Sequence, residues 1–212
     1  MALVALCPFA PARAGLTDWQ VCAAAAAAAE QRFGIPNGLL LAIGHVETGR
    51  SGPGGAAPWP WSINAAGQDQ ILASLPEAVA AVRARQAGGV ASIDVGCFQV
   101  NLMYHPAAFA SMEEAFDPVA NATYAAAFLA SLHTRTGGWQ AAVAAYHSAT
   151  PARGLPYRDR VLADWGGAAP ERAPVVAFGV RVITPSRLGT APGVIVLRRV
   201  GALLPMLVHG RG

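Results

Sequence analysis

Leu41-Ala42-Ile43-Gly44-His45-Val46-Glu47-Thr48-Gly49 is the stretch on which the reading of this chain turns. Apolar side chains at Leu39, Leu40, Ile43 and Val46 recur at helical spacing through it. Gly49 is a natural stop just past the last turn. The helix therefore carries an acid, Glu47, at its C-terminal end, directly before a Gly-rich loop and two tryptophans. A helix C-terminus holds partial negative charge, which disfavours an ionised carboxylate there. Partial burial adds a desolvation cost for the charged form. Both effects keep a proton on Glu47 near neutral pH, as a general acid requires. From position alone, an ordinary exposed helix-end Glu is the alternative.

Upstream, Trp19 to Phe33 reads as a helix built on seven consecutive Ala, closed by Gly34, with Pro36 opening the helix of Glu47. Downstream, residues 50–68 read as loop with at most a short irregular strand pair, through Pro58-Trp59-Pro60-Trp61-Ser62-Ile63-Asn64. Ser74-Leu75-Pro76-Glu77 is a capping box ahead of a helix to about Ala87. Residues 90–103 begin β-branched and turn polar after Gly96. Asp117-Pro118 opens a further helix carrying Val119, Tyr124, Phe128, Leu129 and Leu132, ending before Gly137. Trp139 to Ser148 and Pro156 to Trp165 complete the set. The expected fold is a mainly α domain over residues 18–165, with a small loop or β insert after the Glu47 helix.

Composition sets the limits. Of 212 residues, 54% are hydrophobic and 13% charged, which excludes a highly charged disordered chain. No stretch reads as a clean transmembrane helix. All 15 basic residues are Arg, unevenly placed: residues 15–165 carry a net charge of −3, residues 166–212 one of +5. The basic, Pro-containing tail (166–212) suits anionic polymers or surfaces in general, and the central region has no basic stripe to read nucleic acid. Residues 1–14 resemble the end of an export leader, with Ala12-Arg13-Ala14 as a small-x-small site, although a basic n-region is missing. Cys7 would leave with it. Cys22 and Cys97 would remain as an even pair, free to bridge in an oxidising compartment; two buried thiols are the alternative.

Three segments carry a resemblance. Residues 41–49 look like the catalytic helix of lytic transglycosylases with the lysozyme-like fold, where an apolar helix delivers a Glu followed by Ser or Thr. Gly96-Cys97-Phe98-Gln99-Val100-Asn101 resembles that family's Gly-Leu-Met-Gln-Ile-Asn, and Ala145-Tyr146-His147-Ser148-Ala149 its Ala-Tyr-Asn-Ala-Gly. The order is the family's, and the resemblance covers roughly residues 18–165. It implies an SLT-type, α+β lysozyme-like domain at 15–165. It also implies cleavage of the β-1,4 bond between N-acetylmuramic acid and N-acetylglucosamine in peptidoglycan. One carboxyl suffices in that chemistry, because the muramoyl 6-hydroxyl is the nucleophile and a 1,6-anhydro ring forms. Glu47 is that residue by resemblance. The departures, Cys97-Phe98 and His147-Ser148, bear on substrate contacts.

The remaining expectations follow. Gln99 and Asn101 alternate with apolar neighbours, so their amides either meet sugar hydroxyl and N-acetyl groups or hold a turn. Tyr146 belongs in the cleft by resemblance. His147 lies in the same motif, which suggests proximity to the site, while a satisfied structural role is the stronger expectation for it. Trp61 and Asn64 are expected to bind substrate from the insert, while Trp59 and Trp61 either stack on sugars or pack as a lid. Asp94 is expected to hydrogen-bond backbone in the turn before Gly96; a hydrolase would use it as nucleophile or base. No His, Cys or acid cluster has metal-ligand spacing, His105, His133 and His209 included, and no cofactor is expected. The partner is peptidoglycan glycan, with a secretion machine or other envelope assembly as a further candidate. The protein is expected to be a monomer, exported to the periplasm or beyond. A hydrolytic muramidase and a non-catalytic wall-binding module are the rival readings.

Overall fold

The computed structural model describes residues 15–166; the leader with Cys7, and the tail with its short apolar runs and His209, lie outside them. Seven helices and six short strands follow in the order α1 (Asp18–Phe33), α2 (Leu39–Thr48), β1 (Gly49–Gly52), β2 (Gly55–Pro58), β3 (Ser62–Ala65), β4 (Gln68–Ile71), α3 (Leu75–Ala87), β5 (Ile93–Val95), β6 (Val100–Asn101), α4 (Met112–Phe116), α5 (Pro118–Thr136), α6 (Trp139–His147) and α7 (Pro151–Asp164). The fold is helix-rich with a small sheet, the lysozyme-like arrangement expected.

Two cores form. The larger gathers the buried faces of α1, α2, α5, α6 and α7 around Leu39, Leu40, Ile43, Phe98, Leu129 and Val143. Small residues let the helices close up: Cys22, Ala25, Ala26 and Ala29 of α1 are buried where it packs on α5. The smaller core lies under the sheet, where Ile63, Ala65, Ile93 and Val95 meet Val79, Val82 and Phe116.

The insert is more regular than its sequence suggested. β1 and β2 pair as a hairpin, and a separate antiparallel sheet runs in the order β4-β3-β5-β6. Strand alternation puts Ile63 and Ala65 in the core and Asn64 on the other face. Register then places Asn64 between Asp69 and Asp94, and Asp94 beside Asn101. Asp69, Asn64, Asp94 and Asn101 therefore form one polar row across four strands.

Other boundaries also differ from expectation. α2 begins at Leu39 rather than at Pro36, because Gly38 at its N-cap is left-handed, with φ +82°. Glu30, only 3% exposed, accepts from Gly38 N–H at 2.8 Å, Leu40 N–H at 2.7 Å and Leu41 N–H at 3.2 Å. Carboxylate oxygens suit a helix N-terminus because its first N–H groups lack partners within the helix. The capping box expected at 74–77 does not form: Ser74 makes no side-chain cap bond, and Glu77 reaches past the N-cap to accept from Ala73 N–H at 3.1 Å. α7 starts at Pro151, with Pro156 inside it, since a first-turn Pro at 151 opens the helix five residues early. Val119 of α5 is exposed rather than part of the core face. The five-residue α4 carried no periodic signal.

Candidate active site

Glu47 ends the apolar α2 and is half-buried between the helical and sheet regions. The buried hydroxyl of Tyr157, on α7, donates to its Oε1 at 2.7 Å. Burial pushes the Glu47 carboxyl up from its ordinary 4.5 to about 7. The Tyr157 hydrogen bond and the Arg160 charge oppose that rise, while the charges of Asp94 and Asp69 add to it. Burial, more than the helix end, thus keeps the proton on Glu47. Tyr157 itself is held well above the usual tyrosine range, by burial first and then by Glu47, so it acts as a donor.

Thr48 fastens this helix end. Its hydroxyl donates to the Cys97 carbonyl at 2.8 Å and accepts from Trp59 N–H at 3.2 Å. The segment it reaches, Gly96 to Gln99, is a tight turn. Gly96 has φ +78°, and a Cβ there would lie 2.6 Å from Asn121 Nδ2. Asn121, fully buried on α5, donates to the carbonyls of Val95 and Ala115 at 3.0 and 2.9 Å. Its Oδ1 accepts from Phe98 N–H at 3.0 Å. Tyr146, half-buried on α6, donates to the Phe98 carbonyl at 2.9 Å. Its hydroxyl pKa is raised well above normal by burial, with the Glu47 charge adding to it. Thr48, next to Glu47, and Tyr146 thus both hydrogen-bond to the Gly96–Gln99 turn, which brings the three motif segments together.

The amides are less free than their pattern implied. Gln99 Nε2 donates to the Ser62 and Gly96 carbonyls at 3.2 and 3.1 Å. Asn101 donates to Ser92 Oγ and Asp94 Oδ1 and accepts from Met103 and Tyr104 N–H. Asn64 donates to Asp69 Oδ1 at 2.6 Å and accepts from Gly67 N–H, closing the β3–β4 turn. Asp94 lies in strand β5, not in the turn, and its partner is the Asn101 side chain rather than backbone. Burial raises its pKa, while the Asn101 hydrogen bond opposes the shift.

Trp59 is buried against Trp19, with Arg50 over both rings, and its Nε1 donates to the Leu72 carbonyl; it packs the insert onto α1. Trp61 is half-buried, donating to Asp18 Oδ2 at 3.2 Å. His147 is exposed and stacks on the Tyr157 ring at 4.5 Å between centroids, 7° from parallel. Its pKa is lowered by burial and by the Arg160 and Arg153 charges. Cys22 and Cys97 form a disulfide. Among the described residues no three of His, Cys, Asp and Glu gather as metal ligands.

Tyr157, Asn121 and Glu30 escaped the sequence reading. Only Tyr157 had a usable signal: Gly154, Tyr157 and Val161 form a buried stripe, and a buried Tyr hydroxyl needs a partner.

The helix-rich domain with a small antiparallel sheet fits the lysozyme-like fold. Residues 73–153 match the family model described as Transglycosylase SLT domain, which bears out the resemblance to SLT-type lytic transglycosylases. The match holds Gln99, Asn101, Tyr146 and His147, with Glu47 and Tyr157 on either side of it. No curated protein and no solved structure matches the chain.

Proposed function

We propose that this protein is a peptidoglycan lytic transglycosylase, with residues 15–165 as its catalytic domain and Glu47 as the only catalytic carboxyl. The observation that carries the reading is the Glu47 carboxyl, desolvated to a pKa of about 7 and gripped by the Tyr157 hydroxyl at 2.7 Å. A group so poised serves as acid and then as base near neutral pH. In the first step Glu47 gives its proton to the glycosidic oxygen, and the bond from that oxygen to C1 of N-acetylmuramic acid breaks. In the second, the Glu47 carboxylate takes the proton of the 6-hydroxyl, and O6 bonds to C1. Glu47 is protonated again, and no water is consumed. Tyr157 orients the carboxyl through both steps. In this reading Tyr146 and the half-buried Gln99 contact the sugar, and His147, Trp61 and Asn64 supply further contacts. No cofactor takes part.

The Cys22–Cys97 disulfide supports export, since such bonds persist in oxidising compartments. The expected site of action is the periplasm or beyond, with an envelope assembly as a further partner. Among the described residues no helix is long and apolar enough to cross a membrane.

One observation favours a second reading. The Asp94 charge reaches Glu47, and Asp94 is itself pushed toward the protonated form. A hydrolytic muramidase pairs a protonated carboxyl with an ionised one across the scissile bond, and Asp94 is the second carboxyl whose charge reaches Glu47. Digestion of purified peptidoglycan with the full chain, followed by mass spectrometry of the soluble products, separates the readings. The expected products carry 1,6-anhydro ends and are lighter by one water than hydrolytic muropeptides. Hydrated reducing ends would assign the muramidase reaction. Glycan binding without release would leave a wall-binding module.

A further inference from the structure

Within the Proposed function, we infer that the Cys22–Cys97 disulfide is a positioning element for the Glu47 acid, holding the turn that fixes the end of the catalytic helix. Both sulfurs belong to fully buried residues, with Cα atoms 5.8 Å apart, and they join α1 to the Gly96–Gln99 turn. That turn meets α2, α5 and α6 beside the acid. The Cys97 carbonyl takes the Thr48 hydroxyl, one residue from Glu47. The Phe98 carbonyl takes the Tyr146 hydroxyl, and Phe98 N–H donates to Asn121. The Phe98 ring fills the space beside Gly44 of α2, where a Cβ would sit 2.9 Å away.

Helix α1 therefore grips the catalytic helix twice. Glu30 holds its first amides, and Cys22, through Cys97, holds the turn on which its last residue rests. This places a covalent tie beneath the acid, at the position where the resembled family pattern has Leu. Hydrogen bonds to a turn permit small displacements and water entry, and a covalent link to a buried helix face resists them.

Replacing the sulfurs offers a clean test because no charge is lost. The groups whose charges or hydrogen bond reach Glu47 are Asp94 on β5, Asp69 on β4, and Tyr157 and Arg160 on α7; Tyr146 on α6 also feels its charge. None lies on α1 or in the turn. A change in the Glu47 pKa after Cys22→Ala with Cys97→Val thus reports altered position and hydration.

The experiment titrates the Glu47 carboxyl by carbon NMR in the wild-type chain and in C22A/C97V, and follows peptidoglycan cleavage against pH in both. The expected result is a fall of about one unit or more in the Glu47 pKa. At pH 7 the protonated share then drops from about one half to about one tenth, a roughly fivefold loss of kcat with KM little changed. Leu132→Ala, in the same core but away from the turn, serves as a control. It should lower Tm and leave the Glu47 titration in place. A lower Tm in C22A/C97V with an unmoved Glu47 pKa would overturn the inference, leaving the disulfide a stabiliser only. Should C22A/C97V fail to fold, the wild-type chain reduced by a dithiol gives the same comparison. The dithiol supplies two electrons and two protons and closes to a cyclic disulfide. Absence of glycan cleavage by the wild type would sink the Proposed function, whereas the NMR titration still decides this one.

Discussion

On the helical side of the site a lone carboxyl, Glu47, meets the Tyr157 hydroxyl where burial lifts its pKa to about 7. On the sheet side two carboxyls, Asp69 and Asp94, stand in a row with Asn64 and Asn101, and the amides donate to them at 2.6 and 2.9 Å. The chemical group is the same on both sides. On the helical side desolvation leaves a proton ready to move. On the sheet side the Asn101 amide only partly offsets the burial of Asp94, and the charges of Asp94 and Asp69 add to the rise of the Glu47 pKa. Each carboxyl has one side-chain donor, so depth of burial rather than donor number sets Glu47 apart, and predictions can be aimed at that difference.

The largest effect is expected from Glu47→Gln. Gln cannot protonate the leaving oxygen, so glycan release should fall by about 10²–10⁴-fold, with circular dichroism unchanged. Stability should move the other way. The folded-state pKa of Glu47 is raised, so its stabilising contribution is complete below the unfolded value of 4.5 and is lost as pH climbs to about 7. Gln carries no such dependence and still accepts from Tyr157. The variant should therefore be the more stable protein at pH 8, by about 1–3 kcal/mol, with the advantage gone below about pH 4. Denaturant midpoints at the two pH values check this. A variant less stable than wild type at pH 8 would mean that Glu47 bears no desolvation strain.

Tyr157→Phe probes the helical side more gently. Its hydroxyl favours the Glu47 carboxylate, so removing it should raise the acid's pKa further and move the alkaline limb of the pH–rate profile upward. The base step should suffer at the same time, because the carboxylate loses its donor and its orientation. We expect about a tenfold loss in kcat at neutral pH, and stability lowered by about 1 kcal/mol. A downward shift of the alkaline limb would contradict the assignment of Tyr157 as donor.

Local signals made one side of the site legible and left the other hidden. Leu39, Leu40, Ile43 and Val46 announce α2, and the Gly after Thr48 ends it, so the acid's place was readable from adjacent residues. Asp117 caps α5 through Ala120 N–H as its Asp-Pro start suggested. The polar row was unreadable because its members come from four strands, brought into register by turns and by α3 between them. Tyr157 lies 110 residues from the carboxyl it holds, on a stripe that reads simply as core. The alternation of Gln99 and Asn101 suggested side-chain facing, but Gln99 has φ +49° in the turn, and both NH₂ groups are engaged within the turn and the sheet. The two cysteines were an even pair on paper, and their bond depends on the closeness of α1 to the Gly96 turn, a tertiary fact.

Asp94→Asn sharpens the comparison most finely, because it changes the sheet side and reads the result on the helical side. An Asn there can still accept from Asn101 Nδ2, so the row and the fold should persist. The charge that helps raise the Glu47 pKa would be gone, so the alkaline limb should slide down by a fraction of a unit. Cleavage at pH 7 should then fall by about two- to threefold, no more, since the muramoyl 6-hydroxyl and not Asp94 attacks C1. A retaining muramidase would respond differently: loss of its nucleophile removes the covalent step, and activity would collapse by about 10³-fold or more. The ratio of D94N to wild-type rates at one pH therefore tells whether the sheet-side carboxyl tunes the acid or reacts with the sugar. Mass spectrometry of the D94N products, still anhydro-ended on the transglycosylase reading, supplies the second measure of the same distinction.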